Sequence, residues 1–271
     1  MTTKELLEAG DLRGAIEALT QEVKSHPTDI PRRISLFELL IFSGDWDRAE
    51  KQIDVVGQQS PEAALGVLAY RNNLKAERER ARLFSNGTPP HFLTEPPAYV
   101  DRHIEAIRQL SAGDPAGARE LLGQAEEERP ALAGNWNGEH FEDFRDFDDF
   151  VGPVLELIVK DQYAWLPFEQ ILRVEIEPPR KLRDLVWTPA RIEASDKTVG
   201  EVFVPALYAR TSEHASDAVR LGRETQWEPA GDDLVVGAGL RLFLTDEIER
   251  PVLETRSLEF EGGAARPAEP S

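Results

Sequence analysis

The residues best placed to do chemistry lie in one stretch, where Glu139, Glu142, Asp143, Asp146, Asp148 and Asp149 interleave with Phe141, Phe144, Phe147 and Phe150. Clustered carboxylates can hold a hard cation such as calcium or magnesium, or share a proton as a general acid/base pair, so a metal-dependent enzyme is one reading. The spacing lacks the glycine turn and closing glutamate of an EF-hand loop. Phenylalanines three residues apart instead fall within about a half-turn arc of a helix at ~100° per residue, which leaves the acids on the opposite side and predicts an amphipathic helix. Gly152 and Pro153 interrupt the pattern, and Pro153 is suited to begin a second helix through Leu155 and Ile158.

Other signatures are weaker. His26, His91, His103, His140 and His214 are scattered, without the spacing that puts two imidazoles on one metal. Gly237-Ala-Gly239 lacks the third glycine or the lysine of a phosphate-binding loop and reads as a turn between strands. Ser195, Ser212, Ser216 and Ser257 stand in no motif that would activate a hydroxyl, and there is no cysteine to supply a thiolate or a disulfide. These patterns imply no catalytic residue, metal or cofactor.

What must position any site begins with a repeat. Gly10-Asp11, Gly44-Asp45 and Gly113-Asp114 are each followed by an alanine five residues after the glycine (Ala15, Ala49, Ala118) and a proline seventeen after it (Pro27, Pro61, Pro130). Glycine tolerates the left-handed conformation that closes one helix, and the next aspartate accepts hydrogen bonds from the free N–H groups that open another. Each pair is therefore a helix–turn–helix joint. Leu12, Ile16, Leu19 and Val23, and likewise Trp46, Ala49, Ile53 and Val56, trace one buried helical face. The glycines lie 34 and then 69 residues apart, about one and two periods of a tetratricopeptide-like repeat. Residues 62–86 lack the joint and predict a longer helix, with the charged run Lys75 to Arg82 as a solvated face. A proline-rich loop, Asn86 to Pro97, leads to the last repeat.

Beyond Gly134 the repeat stops, and after about Tyr163 the period falls to two. Leu172, Val174 and Ile176 alternate with charged residues; Leu240, Leu242 and Leu244 alternate with Arg241 and Phe243; Leu258 and Phe260 flank Glu259. Val199 to Tyr208 is a further strand, with Pro205 at an edge or bend. The expected fold is a multidomain α+β chain. Residues 1–133 form a tetratricopeptide-like α-solenoid, 134–261 a small α+β domain with a mostly antiparallel sheet and one or two helices at its entrance, and 262–271 a disordered tail.

With 50 acidic against 31 basic residues, the net charge of −19 works against nucleic acid and anionic membranes, whose binding needs clustered Lys and Arg. No apolar run approaches the ~20 residues of a bilayer span, and no export signal opens the chain, so a cytoplasmic location is expected. A solenoid offers a groove for a partner's helix or extended segment, which makes protein binding the default function. Trp46 ordinarily packs between the helices of its hairpin; the sharper alternative is an exposed anchor for a bound peptide.

The segments Gly152-Pro-Val-Leu-Glu156, Tyr163-Ala-Trp-Leu-Pro-Phe-Glu169, Leu182-Arg-Asp-Leu-Val-Trp-Thr-Pro-Ala190, Val204-Pro-Ala-Leu-Tyr208 and Leu221-Gly-Arg-Glu-Thr-Gln-Trp227, with the Gly239/Arg241 turn, occur in the order seen in the ImpE/TagJ (SciE-type) proteins, and the chain resembles that family along nearly its whole length. It departs from the family pattern at Phe147-Asp148-Asp149-Phe150, where an Asp-x-Asp approach is usual, and at Ala164, where a second aromatic is usual. The resemblance implies a non-catalytic accessory protein of bacterial type VI secretion. Some members bind the small subunit of the contractile sheath through a helical segment, near the AAA+ ATPase that recycles it. Trp165, Arg183, Trp187 and Trp227 belong to the matched segments and join Trp46 as partner-contact candidates, with core and interdomain packing as their plainer role. A general peptide-binding cochaperone is the other reading that the repeat permits.

Overall fold

The structure, a computed structural model, describes residues 1–231 and 233–261; the expected disordered tail, 262–271, lies outside the described residues. The first half is helical: α1 (Thr3–Glu8), α2 (Leu12–Ser25), α3 (Ile30–Phe42), α4 (Trp46–Gln59), α5 (Ala64–Asn86), α6 (Ala98–Ser111) and α7 (Pro115–Glu128). The three joints fold as their chemistry dictates. Gly10, Gly44 and Gly113 take φ of +80°, +71° and +83°. Asp11, Asp45 and Asp114 accept hydrogen bonds from Gly14, Arg48 and Gly117 N–H at 2.7, 3.3 and 2.9 Å, opening α2, α4 and α7. Ala15, Ala49 and Ala118 are completely buried where the paired helices meet. Each of these helices ends two residues before its proline.

The charged run in α5 is only partly a solvated face. Glu77 and Arg80 turn inward and are buried, because α5 lies across the sheet rather than at the rim of the solenoid.

The second half is richer in strands than the sequence suggested. After β1 (His91–Phe92), in the proline-rich loop, come β2 (Gly134–Trp136), β3 (Glu139–Phe141), β4 (Phe144–Asp146), β5 (Val154–Val159), β6 (Gln162–Pro167), β7 (Ile171–Ile176), β8 (Trp187–Ala194) and β9 (Val199–Pro205). The short helix α8 (Asp217–Arg220) precedes β10 (Thr225–Pro229), β11 (Val235–Gly239), β12 (Leu242–Thr245), β13 (Glu249–Pro251) and β14 (Ser257–Phe260). Nine strands form one sheet in the order β1-β6-β5-β9-β8-β7-β14-β2-β3, antiparallel except for β1 on β6. A three-stranded sheet, β13-β12-β4, and the hairpin β10-β11 complete it. One face of the large sheet buries Ile158, Tyr163, Trp165 and Trp187 in the same core as the helices. The other buries Leu155, Leu157, Val174, Ile192 and Val204 with a cluster of aromatic rings.

Four expectations are corrected here. Residues 139–150 form no amphipathic helix: β3 pairs with β2 in a short hairpin, β4 pairs with the distant β12, and strand pairing overrides the helical period. The four phenylalanines consequently serve different surroundings. Phe141 and Phe144 join the aromatic cluster, Phe147 stacks on Trp227, and Phe150 enters the helix-side core. Pro153 leads into strand β5, not a helix, so strands begin at Gly134 rather than after Tyr163 and no helix stands at the sheet's entrance. Gly237 to Gly239 lie in strand β11. Around β12 burial does not alternate as expected: Arg241, Leu242 and Phe243 are all buried, and Leu240 and Leu244 only partly so.

Candidate functional site

The densest chemistry lies beneath α5, where helices and sheet meet. Arg80 reaches down from α5 and donates from Nε and Nη2 to the Glu156 carboxylate of β5 at 2.7 and 2.9 Å, and also from Nη2 to the Leu207 carbonyl at 2.9 Å. Arg241, fully buried, donates to the same Glu156 carboxylate and to Asp146 at 2.5 Å, and its Nε donates to the Pro205 carbonyl at 3.1 Å. Tyr163 donates to Glu156 and accepts from the Trp165 indole at 2.6 Å. Tyr208 donates to Asp146 at 2.9 Å, and its ring lies beside the Arg241 guanidinium, 5.2 Å from ring centre to Cζ.

The electrostatics follow from burial. Removal from water raises the Asp146 carboxyl above its ordinary range, with Arg241 opposing the rise. Burial pushes Asp148 up to about 7, and the neighbouring Asp146 charge adds to the effect. Asp148 accepts hydrogen bonds from the Phe150 and Gly237 N–H groups at 2.9 and 2.8 Å. These two are among the six acids that the sequence offered for metal or proton chemistry; Asp146 is taken up by Arg241, Tyr208 and the Asp148 N–H, and Asp148 by backbone N–H groups. Asp143 is held by Arg129 at 2.5 Å, and Asp149 by Arg145 at 2.7 Å. No group of three or more potential ligands with metal-binding geometry occurs among the described residues.

Three of the five contact candidates meet at this junction. Trp187 is buried, donates to Glu77 at 2.8 Å and lies against Tyr70 and Phe37. Arg183 donates to Glu38 on α3 at 2.5 Å and to the Tyr70 hydroxyl at 2.7 Å. Trp165 is completely buried. Trp46, at the junction's edge, and Trp227, away from it, keep partial exposure. Trp46 borders a 390 Å³ pocket with Arg80, Phe84, Arg210 and Ser212, while Trp227 stacks on Phe147 with ring centres 4.2 Å apart.

A second seam joins the halves at the repeat's own joints. Asp217 accepts from the Leu12 N–H at 2.9 Å, Arg223 donates to the Leu7 and Glu8 carbonyls at 2.6 and 3.2 Å, and Ser212 lies against Gly44. Opposite charges thus sit on the ends of α1 and α2 that attract them. Sequence reasoning passed over Arg80, Arg241, Asp217 and Arg223. For Arg241 a signal existed: Leu-Arg-Leu-Phe-Leu is an apolar run broken once, the pattern of a strand buried on both faces rather than one.

A tetratricopeptide-like repeat fused along its joints to an antiparallel-sheet domain, with the charges between them satisfied internally, defines a class of repeat-plus-sheet protein. The family model described as ImpE protein matches residues 138–259, and a tetratricopeptide-repeat model matches residues 6–69. The type VI secretion system accessory component TagJ of Pseudomonas aeruginosa is 37% identical over 261 residues, covering 96% of this chain and 92% of the relative. A Vibrio parahaemolyticus protein of known crystal structure superposes with a TM-score of 0.88 at 29% identity, over 95% of this chain and 97% of that one. The chain belongs to the ImpE/TagJ family.

Proposed function

We propose that this protein is a non-catalytic adaptor of bacterial type VI secretion. It acts in the cytoplasm by holding a helical segment of the small contractile-sheath subunit, which brings it near the sheath's AAA+ ATPase. The observation that carries this reading is the 37% identity to TagJ, an accessory component of that system, running through repeat and sheet alike. Two further features support it. The helical repeat suits polypeptide binding, and the carboxylates that could have done acid/base or metal work are bound to partners within the fold. Units 1–133 and 134–261 act as one body in this role. Trp46 and Trp227, partly exposed, are its aromatic contact candidates. Nucleic acid and membrane are not its partners: the net charge is −19, and no helix among the described residues is long and apolar enough to span a bilayer.

The test is affinity capture of the tagged protein from its native host. Enrichment of sheath subunits is expected. Enrichment of heat-shock proteins without sheath components would replace the reading with that of a general cochaperone.

A further inference from the structure

Beneath α5 the charges are paired, but their hydrogen bonds are not all made. Arg80 engages Glu156 and the Leu207 carbonyl through Nε and Nη2, while its Nη1 donates to no described residue. Glu77 accepts from the Trp187 indole through Oε1, while its Oε2 accepts from none. Nη1 and Oε2 lie 3.6 Å apart, close enough to balance charge and too far for a hydrogen bond. Arg80 and Glu77 are only 4% and 7% exposed, yet neither of these two atoms is wholly enclosed. Both residues line the 390 Å³ pocket that Trp46 borders. Trp46, Ala81 and Phe84 give it apolar walls, and Arg210 and Glu213, bonded to each other at 3.2 Å, stand exposed on its rim. A concave site of this size, largely formed by fixed elements and holding two convergent polar atoms, suits a small molecule.

We propose that this pocket binds a small planar carboxamide. The ligand's carbonyl oxygen accepts from Arg80 Nη1, its N–H donates to Glu77 Oε2, and the flat group behind the amide lies against Trp46 and Phe84. A donor beside an acceptor is the complement of an amide, which carries an acceptor and a donor on one carbon. A carboxylate offers acceptors alone and would set its charge against Glu77; an amidinium offers donors alone and would set its charge against Arg80. Since the two residues already balance each other, a net charge of either sign gains little here to offset its loss of water. The site therefore discriminates by hydrogen-bond pattern rather than by charge. Arg80 is bonded to β5 and Glu77 to β8, so a bound amide bridges the contacts that tie α5 to the sheet and stabilises that junction.

The probes are benzamide, benzoate and benzamidine, which share a shape and differ in charge, titrated into the full chain with Kd read by ligand-observed NMR. Benzamide is expected to bind at least tenfold more tightly than either of the others and to raise the melting temperature. Glu77→Gln keeps a carbonyl oxygen for the Trp187 indole and turns an amide nitrogen towards Arg80, so that the pocket presents donors alone. That variant should lose benzamide affinity at least tenfold and gain affinity for benzoate, an exchange that a loosened fold would not produce. Ala81→Phe, at an exposed position of the lining, fills the pocket and should abolish benzamide binding with an unchanged melting temperature. Benzoate or benzamidine as the tightest wild-type ligand, benzamide binding that both variants retain, or no binding of any of the three would overturn the proposal. The adaptor reading depends on none of these results.

Discussion

The Asp217 carboxylate accepts a hydrogen bond from the Leu12 N–H at 2.9 Å, so a residue of the sheet half helps to cap a repeat helix 205 positions earlier in the chain. The same carboxylate faces the Arg13 N–H at 3.4 Å. Loss of a helix cap costs about 0.5–2 kcal/mol, and we expect Asp217→Ala to cost about 1 kcal/mol in urea unfolding, with Asp217→Asn costing less because it keeps an acceptor. Equal midpoints for Asp217→Ala and wild type would show that this seam contributes nothing.

The joints themselves separate two kinds of strain. Gly113 and Gly44 share the left-handed conformation, but a Cβ at Gly113 meets nothing within 4 Å, whereas one at Gly44 would lie 2.5 Å from Ser212 Oγ. Gly113→Ala should therefore cost only the backbone penalty, about 1 kcal/mol. Gly44→Ala should cost more, and Ser212→Ala should recover part of the difference. Identical losses at both sites would mean that the Ser212 contact yields freely.

At the buried network, Arg241 balances Asp146 and Glu156 together. Its replacement by Met leaves the buried Asp146 without its cation and Glu156 with Arg80 alone, and we expect a loss of about 3–5 kcal/mol in chemical denaturation. Adding Asp146→Asn should return much of it, because the amide needs no counterion while Glu156 keeps Arg80. A mild loss in the single variant would show that water reaches the network.

His103 tests the packing of α6 against the sheet half. Burial lowers its pKa to about 4, and Nδ1 lies 3.2 Å from the Phe150 carbonyl, so the folded ring stays neutral. Unfolded chains protonate near pH 6.5 and folded ones do not. Its stabilising contribution is thus complete above pH 6.5 and is lost as pH falls towards 4, in all about 3 kcal/mol. Asp148 has the opposite slope. Its folded pKa of about 7, against 3.8 when unfolded, gives a contribution complete below pH 3.8 and lost as pH rises to 7. The two nearly cancel between pH 4 and 6.5. With His103→Gln the histidine no longer offsets the carboxyl slope, and between pH 5 and 6.5 that variant should lose about 2 kcal/mol relative to the wild type's own change. Parallel stability curves for the two proteins would contradict this assignment.

How much of this was legible in the sequence depends on how local its cause is. Gly10, Gly44 and Gly113 announced their joints because a left-handed glycine and a capping aspartate act within four residues of one another. The strand pattern at Val174 and Ile176 was equally plain, since β7 has one wet face. The Phe141–Phe150 stretch misled because β3 turns back in a short hairpin on β2 and β4 pairs with residues about a hundred positions away, such as Phe243 with Asp146. Arg80 and Arg241 stayed hidden for a related reason: a charge can be buried when its counterion comes from a distant strand, and local composition does not record that partner. The five matched motifs were visible as text, while their convergence was not: Glu156, Tyr163, Trp187 and Tyr208 come together around Arg80 and Arg241 only in three dimensions.

The most direct measurement is an isothermal titration of purified small sheath subunit into this protein at low and at high salt. We expect saturable one-to-one binding that weakens as ionic strength rises, since the partner of a chain with a net charge of −19 should carry complementary basic charge. Absence of binding at either salt concentration would contradict an adaptor that works by holding the sheath subunit.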